Sequence, residues 1–221
     1  MKVVFLDRDT LSAGTRLRTL AFEHDLVCHG RTSAEQVAER VADADIVLVN
    51  KVRIDARTLA AARRQRCIAV AATGSDAIDL AACRERGIVV SNIRNYAVHS
   101  VPEHTFALIF ALRRSLCAYR DAVRAGRWQA SGQFCFFDHP IRDLVGSTLG
   151  MIGDGVLGLA VAAIEPPATD HPFMKLLDRP DFILTPHVAW ASDEANQSMA
   201  DSLVDNVEAF ARGVPRHVVG L

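Results

Sequence analysis

Across residues 1–97 the apolar positions alternate between short continuous runs and longer stretches with helical spacing. The short runs fall at 2–6, 26–29, 45–49, 67–72 and 88–91. Their lack of polar interruption is the form of strands buried on both faces. The stretches between them predict helices over 11–24, from about 33 to 43, over 55–65 and over 78–86. Thr32 with Glu35 three positions on resembles a helix cap, and Gly87 reads as a C-terminal cap. Five strands separated by helices predict a doubly wound parallel α/β sheet. Ligands of such sheets sit at the carboxyl ends of the strands. Those ends are Asp7-Arg8, Asn50-Lys51, Thr73-Gly74-Ser75 and the stretch from Asn92 to Tyr96.

A long helix is predicted next. Ser100 caps it, Pro102 lies in its first turn and Glu103 takes the reciprocal position. Helical spacing runs from Phe106 towards Val123, and Gly126-Arg127-Trp128 ends it. Residues 129–144 read as an irregular connector containing Phe134, Phe136 and Phe137. A strand-like run over 148–152 leads into Gly153-Asp154-Gly155-Val156-Leu157-Gly158. The helix that starts there reaches only Ile164 before Glu165-Pro166-Pro167. A second strand-like run, 182–185, leads into Pro186-His187-Val188-Ala189-Trp190, and an amphipathic helix over 192–212 closes the chain before Gly213 and Pro215.

Composition narrows the function classes. The chain has 221 residues, 50% hydrophobic and 23% charged, with a net charge of -1. That balance gives no electrostatic grip on nucleic acid or on anionic lipid. Charged residues interrupt every apolar run before a membrane span is complete, and the first run stops at Asp7, unlike a signal peptide. The five cysteines, Cys28, Cys67, Cys83, Cys117 and Cys135, include no CxxC pair. They read as small buried hydrophobes in a reducing cytoplasm, with no disulfide framework and no metal site.

Three groups of residues can carry chemistry. Gly153, Gly155 and Gly158 form G-x-G-x-x-G between a predicted strand and a predicted helix. Such a turn lets the backbone approach a pyrophosphate at a helix N-terminus, with Val156 and Leu157 inside it. The fingerprint lacks its second half. A ribose-binding acid is due about twenty residues on, near Asp178, at the end of a second strand that this chain does not contain. The second group is His187 with Glu165: an imidazole at a strand end, oriented by a carboxylate, is a usual general acid/base. The other histidines carry no such context, although His99 and His104 flank the start of the long helix. The third is Gly74-Ser75, where a turn after a parallel strand leaves N–H groups for an anion such as a carboxylate, or serves as an ordinary strand-to-helix turn.

Several runs together resemble the D-isomer-specific 2-hydroxyacid dehydrogenases. They are residues 72–80 with Cys83 to Ile88, Asn95 to His104, Gly153 to Gly158, Glu165-Pro166-Pro167 and Leu184 to Trp190, all in the family's order. Asn50-Lys51-Val52 and the Trp190 ending are most similar to the glycerate dehydrogenase (hydroxypyruvate reductase) branch. The resemblance implies NAD as cofactor and a small 2-hydroxy or 2-keto acid as substrate, with a homodimer as the assembly. It implies His187 as acid/base, Glu165 as its partner, and Gly74, Ser75 and Lys51 on the substrate.

It also implies a flavodoxin-like substrate domain over 1–97, completed by 187–221. The long helix and connector would span 98–145, and a truncated Rossmann remnant 146–186. Against the family pattern the chain jumps from the first helix of the nucleotide domain to Glu165, with a seam near Ala162 to Ile164. Four of six Rossmann strands, the ribose acid and the substrate-clamping Arg fall in that gap. The expectation is a member of an NAD-dependent oxidoreductase family with activity at or near background. The rival expectations are a non-catalytic binding or dimerisation domain, and a deletion product without a role.

Overall fold

The structure, a computed structural model, describes residues 1–148, 168–179 and 182–220. They form two compact units, one of Met1–Tyr96 with Ala191–Leu221 and one of Ala97–Trp190. The first is built on five parallel strands: β1 (Lys2–Phe5), β2 (Asp25–Cys28), β3 (Ile46–Val49), β4 (Cys67–Val70) and β5 (Val89–Ser91), in the order β2-β1-β3-β4-β5. The order reverses between β1 and β3, the switch point of a flavodoxin-like sheet.

Both faces are buried, which is why β3 and β4 read as unbroken apolar runs. Val4, Leu6, Val47, Val49, Ile68, Val70 and Val90 share one core with Val37 and Val41 of α1 (Ala34–Val41), Leu59 of α2 (Ala56–Ala61) and Cys83 of α3 (Leu80–Glu85). The alternate residues, Phe5, Leu48 and Ala69 among them, face the other way. There α7 (Asp193–Ala211) packs on β4 and buries Met199, Leu203 and Val207. The capping box of α1 is set one residue later than Thr32 and Glu35 suggest. Ser33 is its N-cap and donates its N–H to Gln36 Oε1 at 3.1 Å. Asp55, Asp79 and Ser192 cap α2, α3 and α7 through their side chains. Gly87 leaves α3 at φ 65°, a conformation that favours glycine.

The helix expected over 11–24 does not form. Only a short 3-10 turn, Arg8–Thr10, is present. The backbone of the segment finds its partners on α7 instead: Ser12 N donates to Asn196 Oδ1, Arg16 N to Gln197 Oε1 and Ala21 N to Glu208 Oε1. Arg18 adds a bond to Glu208 at 2.9 Å and one to Asp205. Side chains remote in sequence thus satisfy donors that a helix would have satisfied locally.

The described residues of the second unit are helical or irregular. The single long helix expected from Ser100 is two: α4 (Ser100–Arg113) and α5 (Leu116–Arg124), followed by α6 (Arg127–Ser131). The break is at Ser115, which sits at φ 49° and donates its Oγ to Pro140 O at 2.6 Å. The connector folds back on these helices. Tyr119 donates to His139 O, and Arg127 pairs with Asp138 at 2.6 Å and lies over the Phe136 ring. The strand-like run 182–185 joins no sheet among the described residues. A strand pattern states what a segment could bury, and a ladder also needs a neighbour.

Two groups in the first unit make its acid stability readable. Burial pushes the Asp45 carboxyl up, but the Lys2 N–H at 2.7 Å and Arg64 outweigh it and hold it below the usual range. Burial, then Arg216 and Arg94, push His217 below the ordinary imidazole value against an opposing Asp205. Each folded value is depressed, so each contribution is complete above the unfolded value and is lost as pH falls through the folded one. Urea midpoints are therefore expected to begin falling below about pH 6.5 and to fall again below about pH 3.9. His217→Asn should shrink the first step, to which His29, lowered by burial and Arg40, also contributes; a parent curve flat from neutrality to pH 5 would contradict the assignment.

Candidate functional site

The four strand ends named from sequence are linked in the first unit. The Asp7 carboxylate, at the end of β1, is 4% exposed and fills the turn after β3. It accepts from Asn50 N at 2.9 Å, Lys51 N at 2.7 Å and Val52 N at 3.3 Å. A cavity of about 410 Å³ opens beside it, lined by Asp7, Asp9, Gly30, Arg31, Lys51 and Val52 among others. A Cβ at Gly30 would meet the Asp9 carboxylate at 2.8 Å, so any larger residue there must displace that exposed side chain.

The turn after β4 is held differently. Thr73 Oγ1 donates to Ile93 O at 3.0 Å, Asn92 Nδ2 donates to Thr73 O at 2.7 Å, and Ser75 O accepts from Ile78 N. Among the described residues the N–H groups of Gly74 and Ser75 reach no protein acceptor. The turn therefore keeps two donors at the carboxyl edge of the sheet, able to accept an anion's oxygens. Lys51 is exposed and lines the Asp7 cavity, which Gly74 and Ser75 do not line.

In the second unit His187 is exposed and adopts φ 55°, with its N–H donating to Thr185 O at 2.9 Å. Thr185 Oγ1 lies 3.3 Å from His104 Nε2, a proximity that sequence hinted at only through the position of His104 on the long helix. Glu165, Gly153, Gly155, Val156, Leu157 and Gly158 lie outside the described residues. Sequence reading passed over Asn206, and only long-range pairing reveals it: it is fully buried on α7 and donates to Asn92 O at 2.8 Å. Among the described residues no group of three His, Cys, Asp or Glu side chains could hold a metal, and no helix is long and apolar enough to cross a membrane.

A dinucleotide crevice is built from two βαβαβ halves. One βαβ unit alone takes roughly 30 residues. Between Ala97 and Trp190 the described residues contain no strand. The described residues of this unit supply no frame for an NAD-type cofactor.

These features define a class: a doubly wound, flavodoxin-like α/β domain with unpaired backbone donors at its carboxyl edge. Its family follows from sequence comparison. Residues 4–220 match the family model for the D-isomer specific 2-hydroxyacid dehydrogenase catalytic domain, and the chain belongs to that family. A glycerate dehydrogenase of Methylorubrum extorquens is 36% identical over 312 positions, covering 99% of this chain and 98% of the relative. An alignment of 312 positions exceeds a chain of 221 residues, so the relative carries a long stretch with no counterpart here. A putative 2-hydroxyacid dehydrogenase of Haemophilus influenzae is 45% identical over 165 residues, 74% of this chain and 52% of the relative. A hydroxypyruvate reductase of Blautia hydrogenotrophica is 32% identical over 168 residues, again 74% and 52%. The chain thus spans about half the length of these last two.

Solved structures share the fold. An NADPH-dependent glyoxylate/hydroxypyruvate reductase of Sinorhizobium meliloti, solved with NADP and malonate, superposes with a TM-score of 0.74 at 18% identity, covering 99% of this chain and 96% of that one. The D-lactate dehydrogenase of Aquifex aeolicus, solved with NAD and lactic acid, gives 0.70 at 18% identity, covering 86% and 89%.

Proposed function

We propose that this chain keeps the substrate-recognition half of a 2-hydroxyacid dehydrogenase. It binds a small 2-hydroxy or 2-keto acid, of the glycerate or hydroxypyruvate kind, and turns it over at or near background. The observation that carries this reading is the pair of unpaired N–H groups at Gly74 and Ser75, on a sheet that is otherwise complete. They would receive the substrate carboxylate. Lys51 would add positive charge to the same edge of the sheet. By the family pattern His187 would exchange the proton of the substrate oxygen and Glu165 would orient it. Hydride transfer to or from NAD is the step for which the chain lacks the frame.

Calorimetric titration tests this directly. Hydroxypyruvate is expected to bind and NADH to show no saturable binding at millimolar concentration. Saturable NADH binding with oxidation in the presence of hydroxypyruvate would overturn the reading.

A second reading, a non-catalytic dimerisation domain, draws on the apolar surface of the second unit. Phe134 is 87% and Phe137 85% exposed, and Phe106, Phe110 and Trp128 are about half exposed. Exposed apolar groups in such number mark interaction surfaces. Under this reading sedimentation velocity returns a concentration-dependent dimer and hydroxypyruvate does not bind.

A further inference from the structure

The geometry points to Asn92 and Asn206 as positioning residues that aim the Gly74 N–H from behind. This rests on the reading of Gly74 and Ser75 as the carboxylate-binding turn. Asn92 is saturated. Its N–H donates to His217 O at 3.1 Å, its Nδ2 to Thr73 O at 2.7 Å, its carbonyl accepts from Asn206 Nδ2 at 2.8 Å, and its Oδ1 from Arg94 Nε at 3.3 Å. One residue therefore ties the end of β5 to α7, to the closing segment of the chain and to the turn after β4.

The bond to Thr73 O matters because of the peptide plane. The Thr73 carbonyl and the Gly74 N–H belong to one planar trans peptide, in which they point in opposite directions. Holding the carbonyl on Asn92 fixes the direction of the N–H and turns it away from Asn92. The same bond polarises the peptide, so the N–H becomes a stronger donor to an anion. Thr73 Oγ1, donating to Ile93 O, pins the residue on its other side.

Asn206 supplies an independent sign of purpose. It is fully buried, and its Oδ1 has no hydrogen-bond partner. A buried amide with an unsatisfied acceptor is costly; a leucine of similar shape would remove that acceptor but leave the Asn92 carbonyl without its donor. Its one bond goes to the backbone of Asn92, two steps from the turn.

The test uses the full chain with Asn92→Ala and Asn206→Leu, read by amide 15N relaxation, thermal unfolding and titration with hydroxypyruvate. In Asn92→Ala the order parameter at Gly74 is expected to drop from about 0.85 to below about 0.6. In Asn206→Leu it should drop less, at the same residues. Hydroxypyruvate affinity should weaken about tenfold in Asn92→Ala, the loss of roughly one hydrogen bond's contribution. Should Asn92→Ala fail to fold, Asn206→Leu decides alone. Unchanged order parameters at Gly74 and Ser75 in every variant that folds overturn the positioning role. A parent chain that does not bind hydroxypyruvate refutes the carboxylate site instead, and the relaxation result still decides whether the asparagines hold the turn.

Discussion

Mixed with NADH and hydroxypyruvate, the chain is expected to oxidise the nucleotide at least about 10⁵-fold more slowly than the Methylorubrum extorquens glycerate dehydrogenase does. The figure follows from what orientation supplies. Holding two reactants in a near-attack geometry lowers a barrier by roughly 7–11 kcal/mol, or about five to eight powers of ten in rate. The second unit offers no strand among its described residues, and so no parallel sheet on which to lay a dinucleotide. On the proposed reading, donors at Gly74 and Ser75 would grip the acid without bringing the nicotinamide to it. Loss of nicotinamide absorbance, measured against a His187→Ala control, checks this. A rate within a hundredfold of the glycerate dehydrogenase, abolished in the control, would show that a cofactor site is assembled after all.

Asp7→Ala is expected to destabilise the first unit by about 1.5–3 kcal/mol, the range for losing hydrogen bonds to a buried charged group. The carboxylate is 4% exposed and accepts from three successive backbone N–H groups, those of Asn50, Lys51 and Val52. Removing it strands the buried Asn50 N–H and unclamps β1 from the turn after β3. Water can reach the turn from the exposed Lys51 side, which favours the lower end of the range. Asp7→Asn keeps one acceptor oxygen and should cost about half as much. Urea denaturation of both variants gives the comparison. A loss under about 0.5 kcal/mol for Asp7→Ala, the scale of an ordinary surface change, would show that the clamp contributes little.

The sheet was legible because each central strand is apolar without a break, as in Ile46–Val49 and Cys67–Val70. Strands buried on both faces write their position into composition alone. The strand ends followed from topology, and with them Asp7, Asn50, Gly74 and Asn92. What could not be read was set by partners far along the chain. Residues 11–24 carry a passable helical pattern, and Asn196, Gln197 and Glu208 capture their backbone instead. The helical spacing from Phe106 to Val123 runs through Ser115 without a signal, because the break is fixed by Pro140 in the connector. Asn206 sits inside an amphipathic helix like any polar residue, and only the fold shows that it faces Asn92.

The closing residues also bear on how the molecule meets other chains. Val218 pairs antiparallel with Ser91, Val219 N donates to Val90 O at 2.9 Å, and Arg84 donates to Gly220 O. Together they cover the open side of β5, an edge that would otherwise present free N–H and C=O groups as a template for a foreign strand. Trimming the chain after Arg216 would peel away that cover, together with the packing of Val219 on the core and the His217 carbonyl that accepts from Asn92 N. The product would be a still-folded sheet with an adhesive rim, recognised by concentration-dependent aggregation rather than by lost secondary structure. Fusion partners and affinity handles therefore belong at the other terminus, where the exposed Met1 ammonium donates to Glu23 O.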